Sequence, residues 1–109
     1  MRMVIVMISL IEENSEALKE LCLKYRVRRL ELFGSALTGE KFRAEQSDLD
    51  FLVEFLPLKQ GEYAYTYFGL LEAFERLFDR HVDLVMPGAI KNSYFLEAIN
   101  KNRKVLYAA

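Results

Sequence analysis

One cysteine in 109 residues, Cys22, rules out an internal disulfide, and the lack of any cysteine framework fits a reducing compartment, so a cytoplasmic location is expected. An excess of positive charge is missing as well. Fifteen Lys and Arg against sixteen Asp and Glu give a net charge of -1, and no Lys/Arg cluster stands out, so direct nucleic-acid binding is not expected. Long apolar runs are also lacking. The most apolar stretch, residues 1–11, is too short to span a bilayer. It carries one basic residue, and Glu12-Glu13-Asn14 follows where a signal peptide would need small residues, so no membrane association is expected. Repeats, low-complexity tracts and linkers are absent, and residues 1–109 read as a single domain. Residues 1–8 fit an added extension or a homo- or hetero-oligomer contact, and Met3 and Met7 are alternative starts.

What is present is an ordinary globular composition, 52% hydrophobic and 28% charged. Leu18, Leu21, Cys22 and Tyr25 recur at helical spacing and predict an amphipathic helix over residues 11–25, with Glu13, Glu16, Lys19, Glu20 and Lys24 outward. Cys22 on that apolar face reads as a core residue rather than a nucleophile. Residues 28–33 predict a first strand with Leu30 and Leu32 on one face, and a brief helical turn after Gly34-Ser35 stops at Gly39. A charged loop over 40–46 leads to a second strand ended by Pro57.

The longest predicted helix covers 62–79. Its stripe of Tyr63, Tyr67, Leu70, Leu71, Phe74 and Phe78 keeps the spacing of a buried face rather than of a base-stacking platform. A third strand over 81–86 is broken by Pro87-Gly88, a last helix runs over 89–100, and 105–107 form a short terminal strand. The expected class is α/β (α+β), a small mixed sheet with helices packed on it.

The densest chemistry lies in Leu32-Phe33-Gly34-Ser35 and in Ser47-Asp48-Leu49-Asp50-Phe51-Leu52-Val53. Gly34 permits a close backbone approach. Ser35 adds a hydroxyl and an N–H at the start of a short helix, a natural place for a phosphate. Leu49, Phe51, Val53 and Phe55 alternate on one strand face while Asp48 and Asp50 share the other, about 7 Å apart at the backbone. At roughly 6 Å and an effective dielectric near 20, two such carboxylates repel by about 3 kcal/mol. That pattern suits a counter-cation, and all-oxygen ligands favour Mg²⁺. An edge strand with a solvated outer face gives the same alternation.

Asp83 is a third acid, set among Val82, Leu84 and Val85. Beside the first two it would let a second ion approach or let a carboxylate activate an attacking hydroxyl. No lysine follows the glycine, so the Gly-Ser turn is not a Walker loop. His81 reads as a surface or capping residue before a general base, and Ser47 as either an orienter of Asp48 or a strand-entry residue.

Taken together, Gly34-Ser35, Asp48-Leu49-Asp50 and the later Asp83 in His-Val-Asp-Leu-Val resemble the DNA polymerase beta type nucleotidyltransferase superfamily. The chain is most similar to its smallest members, the minimal nucleotidyltransferase (MNT) domains, over nearly its whole length. The resemblance implies nucleotidyl transfer from an NTP, usually ATP. Asp48, Asp50 and Asp83 would form a metal triad for Mg²⁺, expected as two ions. Asp83 would help to deprotonate the acceptor, and Gly34 and Ser35 would hold the triphosphate. Many stand-alone domains of this kind are antitoxins that place AMP on a tyrosine of a HEPN-domain toxin. With no second domain to grip a small acceptor, a protein acceptor of that kind is expected here.

Two departures accompany the resemblance. Ala36-Leu37-Thr38-Gly39 stands where family members commonly carry Arg-Ala-Arg-Gly, and the twelve residues between Ser35 and Asp48 exceed the usual spacing. Lys41 and Arg43 offer charge in that loop, although solvated loop residues are the plainer reading. The missing arginines leave another expectation, an antitoxin that occludes its toxin without catalysis, and a third reading is a subunit that lends a nucleotide-sensing site to a larger complex.

Overall fold

Period-2 and period-3.6 apolar patterns become strands and helices in the computed structural model, which describes residues 9–33, 49–89 and 103–109. The order is helix α1 (Ser15–Lys24), strands β1 (Val27–Phe33) and β2 (Leu49–Phe55), helix α2 (Glu62–Phe78), then strands β3 (Val82–Val85) and β4 (Arg103–Ala108). Residues 9–13 are also helical, and Asn14, whose side-chain amide donates to the Leu10 carbonyl at 2.8 Å, separates them from α1. The predicted single helix is therefore two pieces, because Asn competes with the backbone for hydrogen bonds and favours helix ends. Pro87–Ala89 form a 3₁₀ turn. The extension at 1–8, the turn after Gly34-Ser35 and the rest of the last predicted helix lie outside the described residues.

Among the described residues the sheet is mixed, in the order β3-β2-β1-β4. β1 pairs antiparallel with both β2 and β4, while β2 pairs parallel with β3. A parallel pair needs a long crossover, and the 17 residues of α2 supply it. The aspartate-bearing β2 is thus an interior strand, not the solvated edge that its alternation equally allowed.

One face of the sheet meets the helices. Leu30 and Leu32 of β1, Leu49, Phe51 and Val53 of β2, and Val82 and Leu84 of β3 are buried there with Leu18, Cys22, Leu70, Phe74 and Phe78. Each such large apolar side chain contributes about 1.5–3 kcal/mol by leaving water. Phe74 stacks at 5.3 Å from Phe51 and at 6.3 Å from Phe78. The buried row of α2 is Thr66, Leu70, Phe74 and Phe78, a strict four-residue step. Tyr63 from the predicted stripe is instead exposed beside Phe55, and Tyr67 is half-buried. The opposite sheet face holds Phe33 and Leu52 in a second small cluster with Val85.

Candidate active site

Strand register sets the central geometry. Asp50 of β2 is paired directly with Asp83 of β3, and on its other side with Phe33, the last residue of β1. Laterally paired residues project from the same face, about 4.8 Å apart between neighbouring strands. Two carboxylates far apart in sequence therefore stand side by side on the face away from the helices. Apolar residues fix them there. Leu49 and Phe51 flank Asp50, Val82 and Leu84 flank Asp83, and all four are buried on the helix side. A shift of one residue in either strand would turn its own pair of these apolar residues out to solvent and its acid into the core. Of the other residues singled out in the sequence, Gly34, Ser35, Asp48, Ser47, Lys41 and Arg43 lie outside the described residues.

Asp83 is half exposed and has a histidine beside it. Nε2 of His81 lies 3.5 Å from Asp83 Oδ1, while Nδ1 lies 3.0 Å from Oε2 of Glu75 on α2. That same Glu75 oxygen accepts the Val82 N–H at 3.2 Å, and the His81 carbonyl accepts the Leu49 N–H at 3.1 Å. His81, expected as a surface or capping residue, is exposed and also links the helix to the acid. The Tyr67 hydroxyl donates to the Leu84 carbonyl. Burial first and the Asp83 charge second hold its phenol above the usual range.

A further charged group on this face was not singled out in the sequence. Glu31 of β1 is only 3% exposed, and each of its oxygens meets a different arginine. Oε1 lies 3.2 Å from Arg29 and Oε2 lies 2.8 Å from Arg103 of β4. The available signal was a glutamate inside Leu30-Glu31-Leu32-Phe33, a strand otherwise suited to burial.

The donor set suits a hard divalent cation. Asp50 and Asp83 offer oxygen alone, and His81 sits where a group beside a ligand would orient its carboxylate. Among the described residues no cluster of three metal-ligating side chains forms. The two acids by themselves match Mg²⁺, which is held by one or two carboxylates together with substrate phosphates.

Comparison with known proteins fits this geometry. Residues 14–106 match the nucleotidyltransferase domain family, and the chain belongs to that family. A Methanocaldococcus jannaschii relative, the candidate protein adenylyltransferase MJ0128, is 36% identical over 93 residues, covering 85% of this chain and 87% of its own. The solved structure of a candidate minimal nucleotidyltransferase aligns with a TM-score of 0.66 at 28% identity, over 86% of this chain and 90% of that one. A chain in the structure of tri-AMPylated Shewanella oneidensis HEPN toxin in complex with MNT antitoxin has the same fold. Its TM-score is 0.60 at 18% identity, over 90% of this chain and 72% of that one. The protein is accordingly a nucleotidyltransferase, an α/β enzyme with the architecture of the minimal members. Among the described residues no helix is long and apolar enough to cross a membrane.

Proposed function

We propose that this chain transfers AMP from ATP to a tyrosine of a partner HEPN toxin, in the cytoplasm, and thereby acts as the antitoxin of the pair. The observation that carries this reading is the register pairing of Asp50 with Asp83 on the sheet face away from α1 and α2. The adenylyltransferase relative and the AMPylated toxin complex that shares this fold support the acceptor class.

In this mechanism Asp48, Asp50 and Asp83 would hold Mg²⁺, expected as two ions. Bound there, the metal would supply positive charge to neutralise the triphosphate and the pyrophosphate leaving group. Gly34 and Ser35 bind phosphate oxygens through backbone N–H groups and the serine hydroxyl. Asp83 takes the proton of the tyrosine hydroxyl. The phenolic oxygen then forms a bond to the α-phosphorus as the bond from that phosphorus to the bridging oxygen breaks. Pyrophosphate leaves, and AMP stays on the tyrosine. His81, between Glu75 and Asp83, keeps the Asp83 carboxylate turned toward the acceptor.

The test mixes the purified chain, its partner toxin, ATP and Mg²⁺ and reads intact mass. The expected result is a toxin gaining one or more AMP units, with the gain lost in Asp50→Ala and Asp83→Asn. No gain with the natural chain, or an undiminished gain with Asp50→Ala, overturns the reading.

Exposed aromatic residues on α2 favour one alternative. Tyr65 and Phe68 are 82% and 61% exposed, and Tyr63 lines an apolar groove of about 360 Å³ with Ala64, Tyr67, Leu84, Val85 and Met86. A surface of this kind suits a partner protein. Neutralisation by occlusion alone would survive the loss of Asp50 and Asp83 together.

A further inference from the structure

The apolar groove between α2 and β3 starts beside the acid that would meet the acceptor. Leu84, Val85 and Met86, the three residues after Asp83, line one side, and Tyr63, Ala64 and Tyr67 of α2 line the other. Strand alternation puts Val85 on the same sheet face as Asp83, about 7 Å along the strand. Across the groove, Tyr67 is near enough to Asp83 for the carboxylate charge to help hold its phenol above the usual range. The groove is therefore continuous with the acid pair, and it lies on the acceptor side. Phe33, which Gly34-Ser35 directly follow, pairs with Asp50 on the β1 side, whereas Asp83 and the groove lie on the β3 side.

Side chains rather than strand pairing fit this surface. β3 is the outermost strand on its side among the described residues, which would ordinarily invite a partner strand. The His81 carbonyl accepts from β2, so the backbone groups of Val82 and Leu84 face the outer edge. Helix α2 already meets one group of each. Glu75 accepts the Val82 N–H at 3.2 Å, and the Tyr67 hydroxyl donates to the Leu84 carbonyl. An added strand would displace both contacts. The groove instead offers about 360 Å³ lined by no charged residue, which suits neither a triphosphate nor a metal ion but does suit aliphatic or aromatic side chains. Phe68, one turn on from Ala64 and edge-on to Tyr67, adds a further exposed ring beside it.

We propose that this groove receives apolar side chains of the acceptor protein next to its modified tyrosine, and so selects the acceptor. A tyrosine whose phenolic oxygen meets Asp83 brings the neighbouring residues of its own chain within reach of Val85 and Met86. The assignment rests on the transferase reading and adds to it the surface that recognises the protein substrate.

Steady-state AMP transfer by the full chain to the purified partner toxin, with ATP and Mg²⁺, tests it. Ala64 is exposed in the first turn of α2, where a glutamate suits the helix dipole, so Ala64→Glu should fold. It places a charge in the apolar groove and should raise the KM for the toxin about tenfold or more, with kcat and the KM for ATP unchanged. Ala64→Lys should do the same, since a charge of either sign is costly to cover there. Leu23→Glu, which puts the same charge on an exposed apolar position of α1 outside the groove, should leave all three constants natural. A natural KM for the toxin in Ala64→Glu overturns the proposal and leaves the transferase reading intact. A rise with glutamate but not with lysine does so too, because charge rather than apolar docking is then responsible. A raised KM for ATP assigns the groove to the adenine base and overturns the proposal. So does a dimer of the natural chain that Ala64→Glu dissolves, which assigns the groove to a second copy. No transfer by the natural chain overturns both.

Discussion

Replacing Gly69 with alanine sets helix propensity against packing. Gly69 lies in the middle of α2, where glycine costs about 1 kcal/mol relative to alanine. A Cβ at this position would lie 2.7 Å from Cε1 of Tyr25, and 3.4 Å from its Cζ and Oη. The tyrosine ring must shift to admit it, at the expense of its contacts with the core. It packs against the main core, and the Tyr25 N–H is bonded to the Leu21 carbonyl at the end of α1. Overpacking of this kind costs about 1–3 kcal/mol, so the net loss from Gly69→Ala is about 1 kcal/mol. For a domain of this size that lowers Tm by about 4–5 °C. Thermal and urea unfolding of the natural chain, Gly69→Ala, Tyr25→Ala and the double variant form a complete cycle. With the ring removed, the same alanine should stabilise by about 1 kcal/mol, a coupling of about 2 kcal/mol between the sites. A higher Tm for Gly69→Ala in the natural background would refute the close approach of α1 and α2.

Phe74→Ala should cost about 3–5 kcal/mol in urea unfolding, since Phe74 is fully buried between Phe51 and Phe78, and a cost close to zero would misplace the core. Cys22 should resist iodoacetamide at pH 8 in the folded chain and react in urea, because it is fully buried and burial pushes its thiol from 9.0 up to about 12. The folded state keeps a proton that the unfolded chain loses, so this contribution to stability is complete below about pH 9 and disappears between about 9 and 12. The raised Tyr67 phenol acts in the same direction above its ordinary value of 10.0. Urea unfolding against pH should therefore steepen above pH 9 and flatten in Cys22→Ala, and parallel profiles for the two proteins would contradict it. His81→Gln should lower AMP transfer about tenfold or more with Tm unchanged, and full activity would show that Asp83 needs no support from His81.

Among the described residues, the sequence by itself determined the element types and most of the faces they turn inward. Strict alternation of Leu49, Phe51, Val53 and Phe55, and the four-residue step of Leu70, Phe74 and Phe78, leave little freedom in which side meets the core. The same alternation put Asp50 and Asp83 on non-core faces, and their order in the chain was enough to suggest the family. Strand pairing was beyond its reach, because no local pattern states which strand lies beside which or in what register. Tertiary structure alone decided that Asp50 stands opposite Asp83, that β2 is interior and that Glu31 meets Arg103 of β4. It alone explains why a glycine interrupts a good helix at residue 69, since the reason is a ring forty-four positions earlier in the chain. Period and propensity act within a few residues, whereas charge convergence and close approach depend on which distant segments the buried apolar surface brings together.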